Sequence, residues 1–232
     1  MKKTILVTGA SGAIGLAVAQ DLVSRGFNVI GTFRREKNPA VPIDWFELDV
    51  NNPELCKNLI MKVSQEDLVG YVDCTGIHHS GPLMGLAEEH LNEMFQTNML
   101  APTKFLQLLL PLFSKKRAGS IVLMGSVSAH RMTRGHAVYS ATKAGLEGLT
   151  KALASEMAKR NVRINIVLPG PVDSAMLRQS KEENGVDPAE MVPMGRLIRA
   201  EEIAKTCSFL LSNDASAITG VVLPVDGGYS LW

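Results

Sequence analysis

The sequence predicts an α/β fold, a doubly wound parallel sheet with helices on both faces, and three observations lead there. Short apolar runs rich in β-branched residues alternate with longer stretches of helical period. Gly, Pro, Asn or Asp bounds each short run. A glycine-rich turn joins the first run to the first helical stretch. The 232 residues suit one core, so a single domain spanning 1–232 is expected.

Thr4 to Thr8 reads as the first strand. Ile14 to Arg25 follows as a helix, with Ile14, Ala17, Val18, Leu22 and Val23 on one stripe and Gly26 at the stop. Phe27 to Thr32 is the second strand. Further strands are expected at Trp45 to Leu48, Leu68 to Asp73, Ser120 to Met124, Arg163 to Leu168 and Val221 to Pro224. Helices fill Pro53 to Ser64, Leu86 to Gln107, Ala137 to Lys159 and Ala200 to Leu211, with a bend or break expected at Pro102. The stretch 173–195 is rich in loop residues and too long for a plain connection, which makes it the candidate substrate lid.

Composition excludes several classes of function. Hydrophobic residues make up 46% and charged residues 20%, with a net charge of +1, so no polyanionic partner is called for and nucleic-acid binding is not expected. Cys56, Cys74 and Cys207 are odd in number and lack CxxC spacing, which argues for a reducing compartment. The five histidines, His78, His79, His90, His130 and His136, show no metal-ligand pattern and read as surface or core polar residues, so no metal is expected. An opening apolar run resembles a secretory leader but stops at Thr8-Gly9. The run from Phe105 to Phe113 is interrupted by Gln107 and Pro111 and falls short of the roughly 20 residues of a membrane span. A soluble cytoplasmic protein is the expectation.

The turn after the first strand reads Thr8-Gly9-Ala10-Ser11-Gly12-Ala13-Ile14-Gly15. Gly9 allows a sharp turn, Gly15 lets the helix approach the sheet, and the small residues Ser11, Gly12 and Ala13 between them leave helix-start N–H groups, that of Ile14 included, facing a pyrophosphate. A dinucleotide ribose would lie where the second strand ends, and there stands Phe33-Arg34-Arg35 instead of a carboxylate. Two guanidiniums favour a 2′-phosphate, hence NADP(H) over NAD(H).

Tyr139-Ser140-Ala141-Thr142-Lys143 sets a phenol and an ammonium on one helix face at i and i+4. A positive charge beside a phenol eases proton release, so Tyr139 is the candidate proton donor to a carbonyl. Ser126 follows a strand and a glycine, at the carboxyl end of the sheet where open α/β folds hold ligands. Asn98 lies inside a helical stretch that disfavours Asn, which suggests a buried hydrogen-bonding task.

Together these motifs resemble the short-chain dehydrogenase/reductase family, from about Thr4 to the C-terminus, and the resemblance implies a Rossmann-type fold. Gly9 and Gly15 match the family's Thr-Gly-x-x-x-Gly-x-Gly, while Ala13 stands at the middle glycine and Gly12 one place earlier; which of the two lies nearer the phosphates is open. The resemblance implies that Tyr139 is the catalytic acid, that Lys143 assists it and binds the nicotinamide ribose, that Ser126 orients the carbonyl, and that Asn98 supports a proton-relay water. It implies adenine contact by Asp49-Val50 and nicotinamide contact by the Pro169-Gly170 turn, Val172 and Ser174. Where the family has Asn-Asn-Ala-Gly, this chain has Asp73-Cys74-Thr75-Gly76. Gly76 keeps close cofactor approach, while the asparagines' sheet-stabilising bonds are not carried over. The segment after Arg35 is short, as though a helix were lost.

Val192-Pro193-Met194-Gly195-Arg196-Leu197 and the ending from Ile218-Thr219-Gly220 to Asp226-Gly227-Gly228 resemble 3-oxoacyl-[acyl-carrier-protein] reductases. The resemblance implies reduction of a 3-oxoacyl thioester on acyl carrier protein, in fatty acid or polyketide biosynthesis, with Arg117 and Arg160 as candidate carrier contacts and a dimer or tetramer as the assembly. Two alternatives stand beside it. One is a dehydrogenase for a free alcohol, sugar or polyketide-like ketone, its apolar pocket drawn from Leu86, Met94, Met176, Leu177 and Met191. The other is a dinucleotide-sensing module without catalysis.

Overall fold

The computed structural model describes residues 2–38, 41–131, 133–173 and 187–231. Its centre is a seven-stranded sheet, parallel throughout, in the order β3-β2-β1-β4-β5-β6-β7. The strands are β1 (Thr4–Thr8), β2 (Asn28–Phe33), β3 (Asp44–Glu47), β4 (Leu68–Asp73), β5 (Gly119–Met124), β6 (Val162–Pro169) and β7 (Val222–Val225). Because strand order reverses between β1 and β4, the two loops leaving their C-terminal ends diverge and open a crevice there.

The helices are α1 (Ala13–Ser24), α2 (Pro53–Val63), α3 (Glu88–Phe95), α4 (Ala101–Lys116), α5 (Ala137–Ala158) and α6 (Ala200–Leu211). Alternating strand residues feed two cores. Ile5 and Val7 meet Val18 and Leu22 of α1 and Ile203 and Leu210 of α6. Leu6 and Tyr71 join Leu59 of α2, Phe105 and Leu109 of α4 and Leu146 of α5 on the other face. Local chemistry fixes the helix ends: Asn52 Oδ1 accepts from the Glu54 and Leu55 amides ahead of Pro53. Gly26, at φ 89°, closes α1 with Phe27 N–H returning to Leu22 O.

The helix expected over 86–107 is three pieces. α3 passes into a π turn over Gln96–Leu100, and α4 then runs on to Lys116. The irregularity expected at Pro102 lies one turn upstream, for a physical reason. Pro102 has no N–H for the carbonyl four residues earlier, that of Asn98. The ladder widens instead, and Ala101 N–H reaches Gln96 O, five residues back.

Pro102 itself sits in the first turn of α4, where a missing donor costs little. Between Arg34 and Ile43 no helix is present among the described residues. Among the described residues no helix is long and apolar enough to cross a membrane. Most of the expected lid, residues 174–186, lies outside the described residues, with Ser174, Met176 and Leu177 in it.

Candidate active site

The glycine turn after β1 is dictated by space. Gly9 has φ 69°, and a Cβ there would lie 2.7 Å from Cys74 O; a Cβ on Gly15 would lie 2.2 Å from Gly9 O. Neither position admits a side chain without moving backbone. Gly12 has an ordinary φ of −77° and caps α1 without a side-chain bond, while Ala13 is the first helical residue. The helix ladder begins with Leu16 N–H to Gly12 O, which leaves the amides of Ala13, Ile14 and Gly15 outside it. These three N–H groups, on a helix with no acidic residue in its first turn, make an anion seat.

That seat opens into a cleft of about 200 Å³ whose walls include Ser11, Gly12, Arg34, Asp49, Val50, Gly76 and Thr97. Arg34 and Arg35 are exposed just beyond β2, and neither guanidinium pairs with a carboxylate among the described residues. Asn51, which sequence reasoning missed, donates from Nδ2 to Thr97 Oγ1 at 3.0 Å, and its buried Oδ1 has no partner. An acceptor so placed asks for a donor from whatever fills the cleft. A larger hollow, about 540 Å³, opens between the C-terminal ends of α2 and α4 around Val63 and Phe113. It lies by Leu68 at the amino end of β4, the opposite end of the strands from the cleft, and gathers none of the candidate groups.

Lys143 and Asn98 converge at the end of β4. A Cβ placed on Gly76 would lie 3.2 Å from Lys143 Nζ and 3.5 Å from Asn98 Oδ1. Lys143 is 3% exposed and has no carboxylate partner among the described residues; Nζ donates to Met124 O at 2.9 Å, at the end of β5. A buried ammonium held by a carbonyl alone retains donors for a ligand. It stands 5.9 Å from the centre of the Tyr139 ring, so the two groups share one environment.

Asn98 is a clamp. Its Oδ1 accepts from Ile77 N–H at 2.8 Å, and its Nδ2 donates to Ile77 O at 2.9 Å and Thr142 Oγ1 at 3.3 Å. Thr142 in turn donates to Tyr139 O. The amide thus ties the loop after β4 to α5, while Oδ1 keeps a second lone pair. Ser126 lies two residues beyond Met124, and its Oγ accepts from Ser128 N–H at 3.1 Å as the cap of a short turn.

Pro169 ends β6, and Gly170 packs where a Cβ would lie 2.7 Å from Asp226 Cα. Val172 bridges to Ile198 just before the expected lid.

Several expectations need correction. Asp73 restores the lost sheet bonds: buried at 3% exposure, its Oδ1 accepts from Thr8 Oγ1 at 2.8 Å, Thr75 N at 3.0 Å and Thr75 Oγ1 at 2.6 Å. Met94 is fully buried in α3, whereas Met191 is exposed. Arg117 and Arg160 lie at the C-terminal ends of α4 and α5, the latter roughly 30 Å of helix from Tyr139. Arg117 Nη2 donates to Lys159 O.

His78 and His136 are neither plain surface nor plain core. Their rings lie 4.7 Å and 6.3 Å from that of Tyr139. Burial pushes the His78 imidazole down to about 4, helped by His136 and His79, and burial lowers His136 as well. His78 Nε2 and His136 Nδ1 are buried with no partner among the described residues, a state that costs about 1–3 kcal/mol per group in stability.

Comparison with known proteins agrees with this geometry. The family model described as enoyl-(acyl carrier protein) reductase matches residues 9–230. The 3-oxoacyl-[acyl-carrier-protein] reductase FabG of Escherichia coli is 36% identical over 97% of this chain and 96% of its own. Among solved structures, ElxO with NADP bound superposes with a TM-score of 0.94 at 29% identity, covering all of both chains. The ligand-free aldohexose dehydrogenase of Thermoplasma acidophilum gives 0.92 at 30% identity, over 100% of this chain and 95% of that one. The chain belongs to the short-chain dehydrogenase/reductase family of oxidoreductases.

Proposed function

We propose that this oxidoreductase reduces the ketone of a 3-oxoacyl thioester, carried on acyl carrier protein, to the 3-hydroxyacyl form with NADPH. The observation that carries the reading is the convergence of Tyr139, Lys143 and Asn98 beside Gly76, at the mouth of a cleft with an anion seat. The likeness to FabG over nearly the whole chain supports the thioester.

The cleft fits a phosphorylated dinucleotide. The amides of Ala13, Ile14 and Gly15 would hold its pyrophosphate, Arg34 and Arg35 its 2′-phosphate, and Asp49, Val50 and Asn51 its adenine end. Gly76, Pro169, Gly170, Val172 and Ser174 would border the nicotinamide. When bound, NADPH supplies the hydride. Lys143 Nζ would hold the ribose and places positive charge beside the phenol. Ser126 Oγ orients the carbonyl, and Tyr139 Oη delivers the proton to its oxygen as the alcohol forms. Asn98 keeps the loop at Ile77 and the turn of α5 at Thr142 in register, which fixes the distance between Gly76 and Tyr139.

The test is loss of reduced-nicotinamide absorbance with a panel of 3-oxoacyl thioesters, repeated with NADH. Turnover with NADPH on the thioesters is expected. Turnover confined to free sugars or alcohols would establish the second reading, a dehydrogenase like the aldohexose enzyme that shares this fold. An assembly of two or four copies belongs to the proposal, and sedimentation velocity reads it.

A further inference from the structure

Two histidines that the mechanism does not use stand against the proton donor. His136 caps α5 one turn before Tyr139, with Ser140 N–H bonded to its carbonyl at 2.7 Å, so helix spacing sets it and Tyr139 on adjoining faces. His78 comes from the loop after β4, two residues past Gly76. The loops that carry them are tied together, Gly81 N–H donating to Gly135 O at 3.0 Å. Gly135 has φ 82°, and a Cβ there would press to 3.3 Å from Gly81 N, so the two strands of chain meet where a side chain does not fit.

The outcome is a T-shaped contact between the imidazoles, with centroids 4.5 Å apart, next to the Tyr139 ring. His78 Nε2 and His136 Nδ1 are shielded and, among the described residues, unpartnered. Two apolar rings of the same shape would pack there without that cost, so the nitrogens call for a partner that the described residues do not supply, a water or a ligand.

We infer that the His78–His136 pair determines specificity, its free ring nitrogens hydrogen-bonding an oxygen that the substrate carries in addition to the ketone being reduced. This rests on the reductase reading above. In a 3-oxoacyl thioester that second oxygen belongs to the thioester carbonyl, two carbons from the reacting one. A substrate without it leaves both nitrogens unpaired and is rejected.

The test compares two matched ketones, 3-oxobutanoyl N-acetylcysteamine thioester and the analogue in which the thioester carbonyl is a methylene. His78→Phe and His136→Phe keep ring shape and remove the nitrogens. His78→Gln and His136→Asn keep a polar atom near Nε2 and Nδ1 respectively. The phenylalanine variants are expected to lower kcat/KM on the thioester by about 10–100-fold, with less than a threefold change on the methylene analogue and undiminished melting temperature. The Gln and Asn variants are expected to recover most of the loss.

Equal loss on both ketones, or no loss on the thioester, overturns the inference. A wild type that turns over neither ketone overturns the reductase reading and this inference with it, whereas an active wild type with unselective variants overturns this inference alone.

Discussion

Three residues before Gly76, Asp73 gathers three hydrogen bonds on one oxygen; two residues after it, His78 leaves a buried nitrogen with none. Both side chains leave the same short segment, and both are costly to bury. Asp73 faces inward between β1 and β4, where Thr8 and Thr75 satisfy it, and Thr8 also meets the Tyr71 hydroxyl at 3.0 Å. His78 faces Tyr139 and His136. The contrast marks where this segment stops serving the sheet: the polarity of Asp73 is satisfied by the fold, and that of His78 is left open for the substrate oxygen proposed above.

The largest effect is expected on the open side. Tyr139→Phe removes the proton donor and lowers kcat by about 10²–10⁴-fold, while NADPH affinity, read by fluorescence titration, stays close to wild type. A loss of cofactor affinity with retained turnover per bound cofactor would remove Tyr139 from the reaction.

On the satisfied side the cost falls on stability. Asp73→Ala strands the Thr8 and Thr75 donors and is expected to lower unfolding free energy by about 3 kcal/mol in urea, whereas Asp73→Asn, which keeps an acceptor, costs about 1 kcal/mol. If both substitutions cost the same, the bonds to Oδ1 are not what holds this loop.

Beyond both clusters, Arg34→Ser is expected to reduce the preference for NADPH over NADH by about tenfold without changing kcat at saturating cofactor, as paired kinetics with the two cofactors would show.

The smallest effect is a pH signature. His78 is held near 4 in the folded chain against an ordinary 6.5, so between those values the unfolded chain binds a proton that the folded one refuses. Stability therefore rises with pH through that window and is lost as pH falls from about 6.5 toward about 4. His136 acts in the same direction. Glu202, held at about 2 against 4.5 by bonds from Arg196 and the Arg199 amide, adds a separate loss below pH 4.5. His78→Phe is expected to flatten the upper window and leave the lower one, in denaturation midpoints measured across pH.

The parts of the fold fixed by local chemistry were legible in the sequence. Gly9 and Gly15 announce the turn because no other residue fits their space, and the strand spans follow from β-branched runs bounded by breakers. Tyr139 and Lys143 were legible because a four-residue helical spacing suffices to pair them. What escaped depends on contacts between distant segments. Asn51 meets Thr97 across 46 residues, and His78 meets His136 across 58. No period or spacing encodes such a meeting. The π turn at Gln96–Leu100 escaped for a subtler reason, since Pro102 signals a missing donor but not which way the ladder accommodates it.

The sheet ends at β3 on one flank and β7 on the other. β3 is four residues long and begins and ends with the exposed carboxylates Asp44 and Glu47; β7 is equally short and contains Pro224, which has no amide hydrogen to give. Short, charged or proline-bearing margins offer a poor template for a further strand. Copies crowded together on a ribosome or in a concentrated sample therefore find little purchase for edge-to-edge growth, and a protein whose interior is all parallel β keeps clear of the fibrous aggregates its own backbone would otherwise seed.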